Sequence, residues 1–255
     1  MKIPSYKSTD TVRLFNLGDL HRGSDAFDHS LFNKVIDEIG SDDQAYWVST
    51  GDLFEVGLVG SLSGSYQKLN LSDEYYALAE ELRPIAGKCL GIVGSNHHAR
   101  FERATSMSLD RLFCGELGIK DKWLGDYGVI RIKAGHAPYY IVMHHGVGGG
   151  RKRGGKVNNL QELGNIFSGA DVYMEGHCHG FSYFPDKMCY IDKKRGNWIE
   201  YDAHFVCTAH FLDYFKSYGA SKKYKPSSMG SAVVTLHARD SGNMNRKKVN
   251  AELFN

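Results

Sequence analysis

Five short polar blocks punctuate this 255-residue chain: Asp19-Leu20-His21, Gly51-Asp52, Gly94-Ser95-Asn96-His97, His144-His145-Gly146 and Gly176-His177-Cys178-His179. Carboxylate oxygen, amide oxygen and imidazole nitrogen together suit borderline to hard divalent metals. No cysteine pair has zinc-finger spacing. Asp19, His21, Asp52, Asn96, His177, His179 and one of the adjacent histidines exceed what one tetrahedral ion uses. Two ions about 3.5–4 Å apart, sharing a carboxylate, use such a set fully. Neighbouring strand residues face opposite ways, so only one of His144 and His145 can join the others.

Each block follows a strand-like segment. Thr11–Leu17 alternates apolar residues and runs into the first block; Ala45–Ser49 and Cys89–Val93 precede the second and third. Tyr127–Lys133 and Tyr139–Met143 read as neighbouring strands turned at Gly135–Pro138, and Ala170–Met174 precedes the last block. Helical spacing predicts helices over Asp28–Ile39, with Asp28 as N-cap and Gly40 just past the end, and over Ser72–Leu82, Phe101–Leu117 and Asn158–Phe167. Gly146–Gly155 reads as a glycine-rich basic loop, and Lys187–Ile191, Trp198–Thr208 and Ser231–His237 as further strands. The order predicts an α/β fold, a mixed β-sheet sandwich flanked by helices, in a single domain over residues 1–255. The blocks lie 31 to 48 positions apart, enough for a crossover or hairpin that returns to one sheet edge. Loops at the carboxyl ends of strands are where such sheets place their sites.

Composition excludes several classes. The net charge of +2 comes from 31 basic and 29 acidic residues, so bulk charge does not point to nucleic acid and any basic patch is local. No apolar run approaches the ~18–20 residues of a membrane span. The polar start lacks the apolar stretch of a signal peptide. The five cysteines have no disulfide-like pattern and read as reduced thiols of a cytoplasmic protein.

In order, the blocks read D-x-H, G-D, a G-x-N-H variant, H and G-H-x-H, and the chain from Asp19 to His179 resembles the calcineurin-like metallophosphoesterases. Its middle, from His144 to Gly180, is similar to a subgroup encoded by phages and bacteria. The resemblance implies a four-layer fold and a two-metal site. Asp19, His21 and His179 would hold the first ion, Asn96, His145 and His177 the second, and Asp52 would bridge them. Manganese is the expected metal; iron, zinc, cobalt and nickel suit the same donors. His97 would bind the substrate phosphate and protonate the leaving oxygen, while a water activated between the ions attacks phosphorus in line. The third block departs from the pattern. Ser95 is inserted before Asn96, and His98 stands where an acid is usual and, when neutral, cannot orient His97 as an acid would.

The substrate implied is a phosphate ester. Arg100 follows His97 by three positions, and Arg151, Lys152 and Arg153, with Lys156, follow the fourth block among glycines that let a backbone approach phosphate. The order of a Walker A loop is absent. His210 lies in the aromatic stretch from Phe205 to Tyr218, ahead of Lys222, Lys223, Tyr224 and Lys225. Aromatics interleaved with lysines suit single-stranded nucleic acid, and they also suit an ordinary sheet edge. These residues make a phosphodiesterase or nuclease acting on DNA or RNA the leading expectation. Alternatives are a phosphomonoesterase acting on nucleotides or phosphoproteins and, further off, a binding scaffold without catalysis. No membrane partner is expected. The block from Gly51 to Glu55 also resembles one found in the family's lipid-sugar pyrophosphatases.

Overall fold

The computed structural model describes residues 3–57, 70–148, 153–238 and 247–255. Among them are two mixed sheets. One has five strands in the order β11 (Val249–Phe254), β10 (Ser231–Leu236), β2 (Val12–Asn16), β3 (Ala45–Ser49) and β4 (Cys89–Ile92). The other has six: β1 (Ser5–Ser8), β5 (Tyr127–Ala134), β6 (Ala137–His144), β7 (Val172–Glu175), β9 (Asn197–Cys207) and β8 (Ser182–Asp192).

Strand alternation sorts the core into layers. Val12, Leu14 and Val48 meet Tyr139, Ile141, Met143, Val172 and Met174 between the sheets. Phe15 and Trp47, on the opposite face, pack with Phe32, Val35 and Ile39 of α1 (His29–Ser41) and Leu78 and Leu82 of α2 (Leu71–Leu82). On the far side, Val142, Tyr173 and Phe205 receive Leu160 and Leu163 of α5 (Arg153–Ile166). The result is helix, sheet, sheet, helix, the sandwich that the element order predicts.

Several elements differ from the sequence expectation. The helix expected over Phe101–Leu117 is two, α3 (Asn96–Thr105) and α4 (Leu109–Glu116). Ser106 breaks it in a left-handed cap, φ 58°, with its N–H donating to the Glu102 carbonyl. α1 runs through Gly40, because Lys88 Nζ donates to the carbonyls of Ile39 and Asp42 and terminates the helix from outside. Asp28 does cap its start, accepting from Leu31 N–H at 3.0 Å. The last three residues of the expected basic loop are helical: α5 begins at Arg153, carries Gly154 and Gly155, and continues through Lys156. Arg151 and Lys152 lie outside the described residues. The turn at Gly135 is tighter than expected, with Pro138 already paired to Lys133. The edge strands β1 and β11 have no counterpart in the sequence expectation, since four or six residues without strong apolar alternation carry little signal.

β2, β3 and β4 run parallel, and so do β6, β7 and β9. The carboxyl ends of these six strands carry Asp19, Asp52, Asn96, His145, His177 and His210. Among the described residues no helix is long and apolar enough to cross a membrane.

Candidate metal centre

The turns that carry the candidate ligands hold an unusual backbone. Asp19, His21, Asp52, His177 and His179 all have positive φ, between 45° and 62°. Side chains other than glycine seldom adopt this region, and such strain gathers at functional sites. The flanking glycines permit the close packing. A Cβ on Gly51, φ 96°, would stand 2.7 Å from Ser95 Cβ, and one on Gly176 would stand 2.9 Å from Asp19 Oδ2.

Three groups of side chains converge closely enough to hold a metal: Asp19, His21 and His179; His21, Asp52 and His97; Asp52, His145 and His177. Asp52 Oδ2 lies 3.2 Å from His145 Nε2, 3.7 Å from His21 Nε2 and 4.0 Å from His97 Nε2. Asn96 Oδ1 is 2.7 Å from His145 Nε2, and His179 Nε2 is 3.4 Å from Asp19 Oδ1 and 3.1 Å from His21 Nε2. His145 joins the cluster and His144 does not. The His144 ring stacks on Tyr127 at 4.5 Å, and its Nδ1 accepts from Gly146 N–H.

The donor set fits a cation. His145 Nδ1–H donates to the Thr50 carbonyl at 2.8 Å, which leaves the Nε2 lone pair facing the oxygens of Asn96 and Asp52. Acceptors facing acceptors repel unless a positive charge stands among them. A proton on Nε2 or a metal ion would fill that role. Burial opposes the charging of His145, but Asp52 and Asp19 outweigh it and raise its pKa to about 9. His21 is likewise raised to about 9, against burial, by Glu55, Asp52 and Asp19. Burial also opposes ionisation of Asp52, yet His145 and His97 hold its carboxyl well below the usual range.

His97 sits beside this cluster. Its Nδ1–H donates to the Glu55 carbonyl at 2.7 Å, so Nε2 is the atom turned toward Asp52. Burial lowers its pKa to about 4. The two departures in the third block have structural uses. Ser95 caps α3, its hydroxyl accepting from His98 N–H. The buried His98 faces Asp110 and Phe54 N–H, and the Glu55 carbonyl orients His97 instead.

Sequence reasoning missed Glu55, Thr50, Asp110 and Ser227. Glu55 alone had a signal, three positions after Asp52. Its Oε2 lies 2.9 Å from His21 Nδ1, and both atoms are buried without a regular hydrogen bond among the described residues. His210 lies next to the cluster. Its ring stacks on His179 at 5.1 Å, its Nδ1 accepts from Leu212 N–H, and its Nε2 lies 2.9 Å from Ser227 Oγ. Arg100 is on α3, half-buried, one turn beyond His97. Cys178 Sγ turns to the carbonyls of Gly180 and Thr208.

Among solved structures the chain is similar to Vacuolar Protein Sorting 29 from Cryptosporidium Parvum, with 16% identity and a TM-score of 0.42 over 96% of this chain and 98% of that one. It is also similar to Vps29 of Chaetomium thermophilum, with 14% identity and a TM-score of 0.43 over 94% of each chain. No protein-family model and no curated protein matches the sequence.

Proposed function

We propose that this protein is a two-metal phosphoesterase that hydrolyses phosphodiesters of DNA or RNA. The observation that carries this reading is the position of Asp52, whose Oδ2 stands between one group holding Asp19, His21 and His179 and another holding Asn96, His145 and His177. Bound ions, manganese first among the metals these donors suit, would supply Lewis acidity and an activated water. The remaining work belongs to side chains. Carbonyls of Thr50 and Glu55 fix the tautomers of His145 and His97. His97 Nε2, held toward Asp52, is the ring atom left to meet a phosphoryl oxygen. The free ring is neutral at pH 7, its pKa near 4; an anionic phosphate beside it favours the protonated form, which can donate to the departing oxygen. Lys156 supports an anionic substrate, because its Nζ donates to the Cys178 carbonyl between two of the proposed ligands. Arg100, Arg153 and His210 are assigned to substrate binding on position alone. Five free cysteines accord with a cytoplasmic setting.

The test is metal analysis with a substrate panel in added Mn²⁺: bis-para-nitrophenyl phosphate, para-nitrophenyl phosphate, single-stranded DNA and RNA. Two ions per chain and preference for diesters are expected. Preference for the monoester moves the protein to the phosphomonoesterases. A chain that purifies without stoichiometric metal and hydrolyses nothing is a binding scaffold.

A further inference from the structure

A cavity of about 620 Å³ opens beside His177 and His179. Its size falls in the ~300–1,000 Å³ range of clefts that enclose small molecules. One wall is α5, presenting Lys156; the other is the segment from His210 to Ser227, presenting Tyr214, Tyr218, Tyr224 and Lys225. This second wall is tied down. Tyr214 Oη–H donates to the Tyr224 carbonyl at 2.7 Å, and Ser227 Oγ–H donates to the carbonyl of His179 itself at 2.5 Å. The tyrosines are therefore fixed relative to the metal-ligand turn. The Tyr218 ring is 6.3 Å from that of His179, and burial, then the charges of Glu55, Asp52 and Asp19, raises its hydroxyl pKa.

We propose that this cleft is a subsite for one unpaired nucleotide next to the scissile phosphate, its base stacked on a tyrosine of the second wall. The proposal rests on the phosphodiesterase reading above and adds the form of the substrate. Tyr218 and Tyr224 stand edge to face, centroids 6.4 Å apart at 80°. A flat base thus stacks on one ring and meets the other at its edge. Lys156 lies on one wall and Lys225 on the other, so each wall offers a cation to the phosphates on either side of a base. A small phosphomonoester would use one cation and leave the rings idle. A base within a duplex already has both faces covered, which leaves none for the tyrosines.

The probe is a labelled phosphorothioate dT6, its binding to the metal-loaded full chain followed by fluorescence anisotropy. Of Tyr218→Leu and Tyr224→Ala, the variant that loses the stacking ring should weaken binding by about 5- to 150-fold, the usual worth of one base–aromatic stack, while Tyr224→Phe should keep it. Lys225→Ala should reduce the slope of log affinity against log salt by about 0.7, one phosphate contact on a single strand. A stable hairpin duplex should compete worse than dT6. Equal binding by both aromatic variants, an unchanged salt slope, or equal competition by duplex overturns the subsite. No dT6 binding, with bis-para-nitrophenyl phosphate still cleaved, overturns the subsite and leaves the phosphoesterase standing. Binding without cleavage of either substrate does the reverse.

Discussion

His98 donates through Nδ1 to the Asp110 carboxylate while its Nε2 accepts from Phe54 N–H at 3.1 Å. Both side chains are buried. They pin the loop that begins at Asp52 and ends at the Glu55 carbonyl that orients His97. Asp110 lies in the first turn of α4, so the break at Ser106 that separates α3 from α4 also sets where this carboxylate falls.

Removing that anchor should cost stability and metal affinity together. Asp110→Ala leaves His98 without its acceptor, at about 1–3 kcal/mol for an unsatisfied buried donor. Displacing the Asp52 loop should weaken metal binding by about 10- to 100-fold, as loss of an outer hydrogen bond to a metal site does. Urea unfolding and metal titration measure the two effects. A stability loss with unchanged metal affinity would show that the pair serves only packing.

Asp52→Asn should remove activity and reduce metal content at both positions. Its Oδ2 is within 4.0 Å of the imidazoles of His21, His97 and His145, and no other carboxylate among the described residues is shown to approach all three. Elemental analysis of the purified variant provides the check. Two retained ions with full turnover would be incompatible with a bridging role.

The histidines separate by role. His97→Ala should keep both ions and lower turnover by about 10²–10⁴, the range for a positioned acid–base group. His145→Ala should lose metal. His144→Ala should keep it, because that ring stacks on Tyr127 outside the cluster. Metal lost from the His97 variant instead would make His97 a ligand.

Metal uptake should release protons. In the metal-free protein His21 and His145 titrate near 9, above their ordinary 6.5. Their charges therefore stabilise the metal-free fold fully below pH 6.5, and that contribution is lost as pH rises through about 9. A metal needs both rings neutral, so apparent affinity should climb from pH 6.5 to 9. Calorimetry in buffers of different ionisation enthalpy should find a proton displaced from each ring. An affinity that stays flat across this range would refute the assignment of these two rings as ligands.

By itself the sequence determined the donor set and the strands beneath it. Asp19, Asp52, Asn96 and His177 each follow an apolar run, and alternation within those runs sets which face meets which layer. Residue type and local periodicity suffice for that. The resemblance already singled out His145, and the tertiary structure supplied the reason: β6 turns His145 into the cluster and His144 onto Tyr127. Only the tertiary structure decided which residues orient the ligands. The Thr50 and Glu55 carbonyls are backbone atoms that any residue supplies, and Asp110 acts across a helix break that helical periodicity does not foretell. The end of α1 was likewise settled by a distant lysine, Lys88, over the glycine in its own last turn. Side-chain chemistry is written locally. Backbone acceptors and partners from other elements acquire their roles only when the strand ends are brought together.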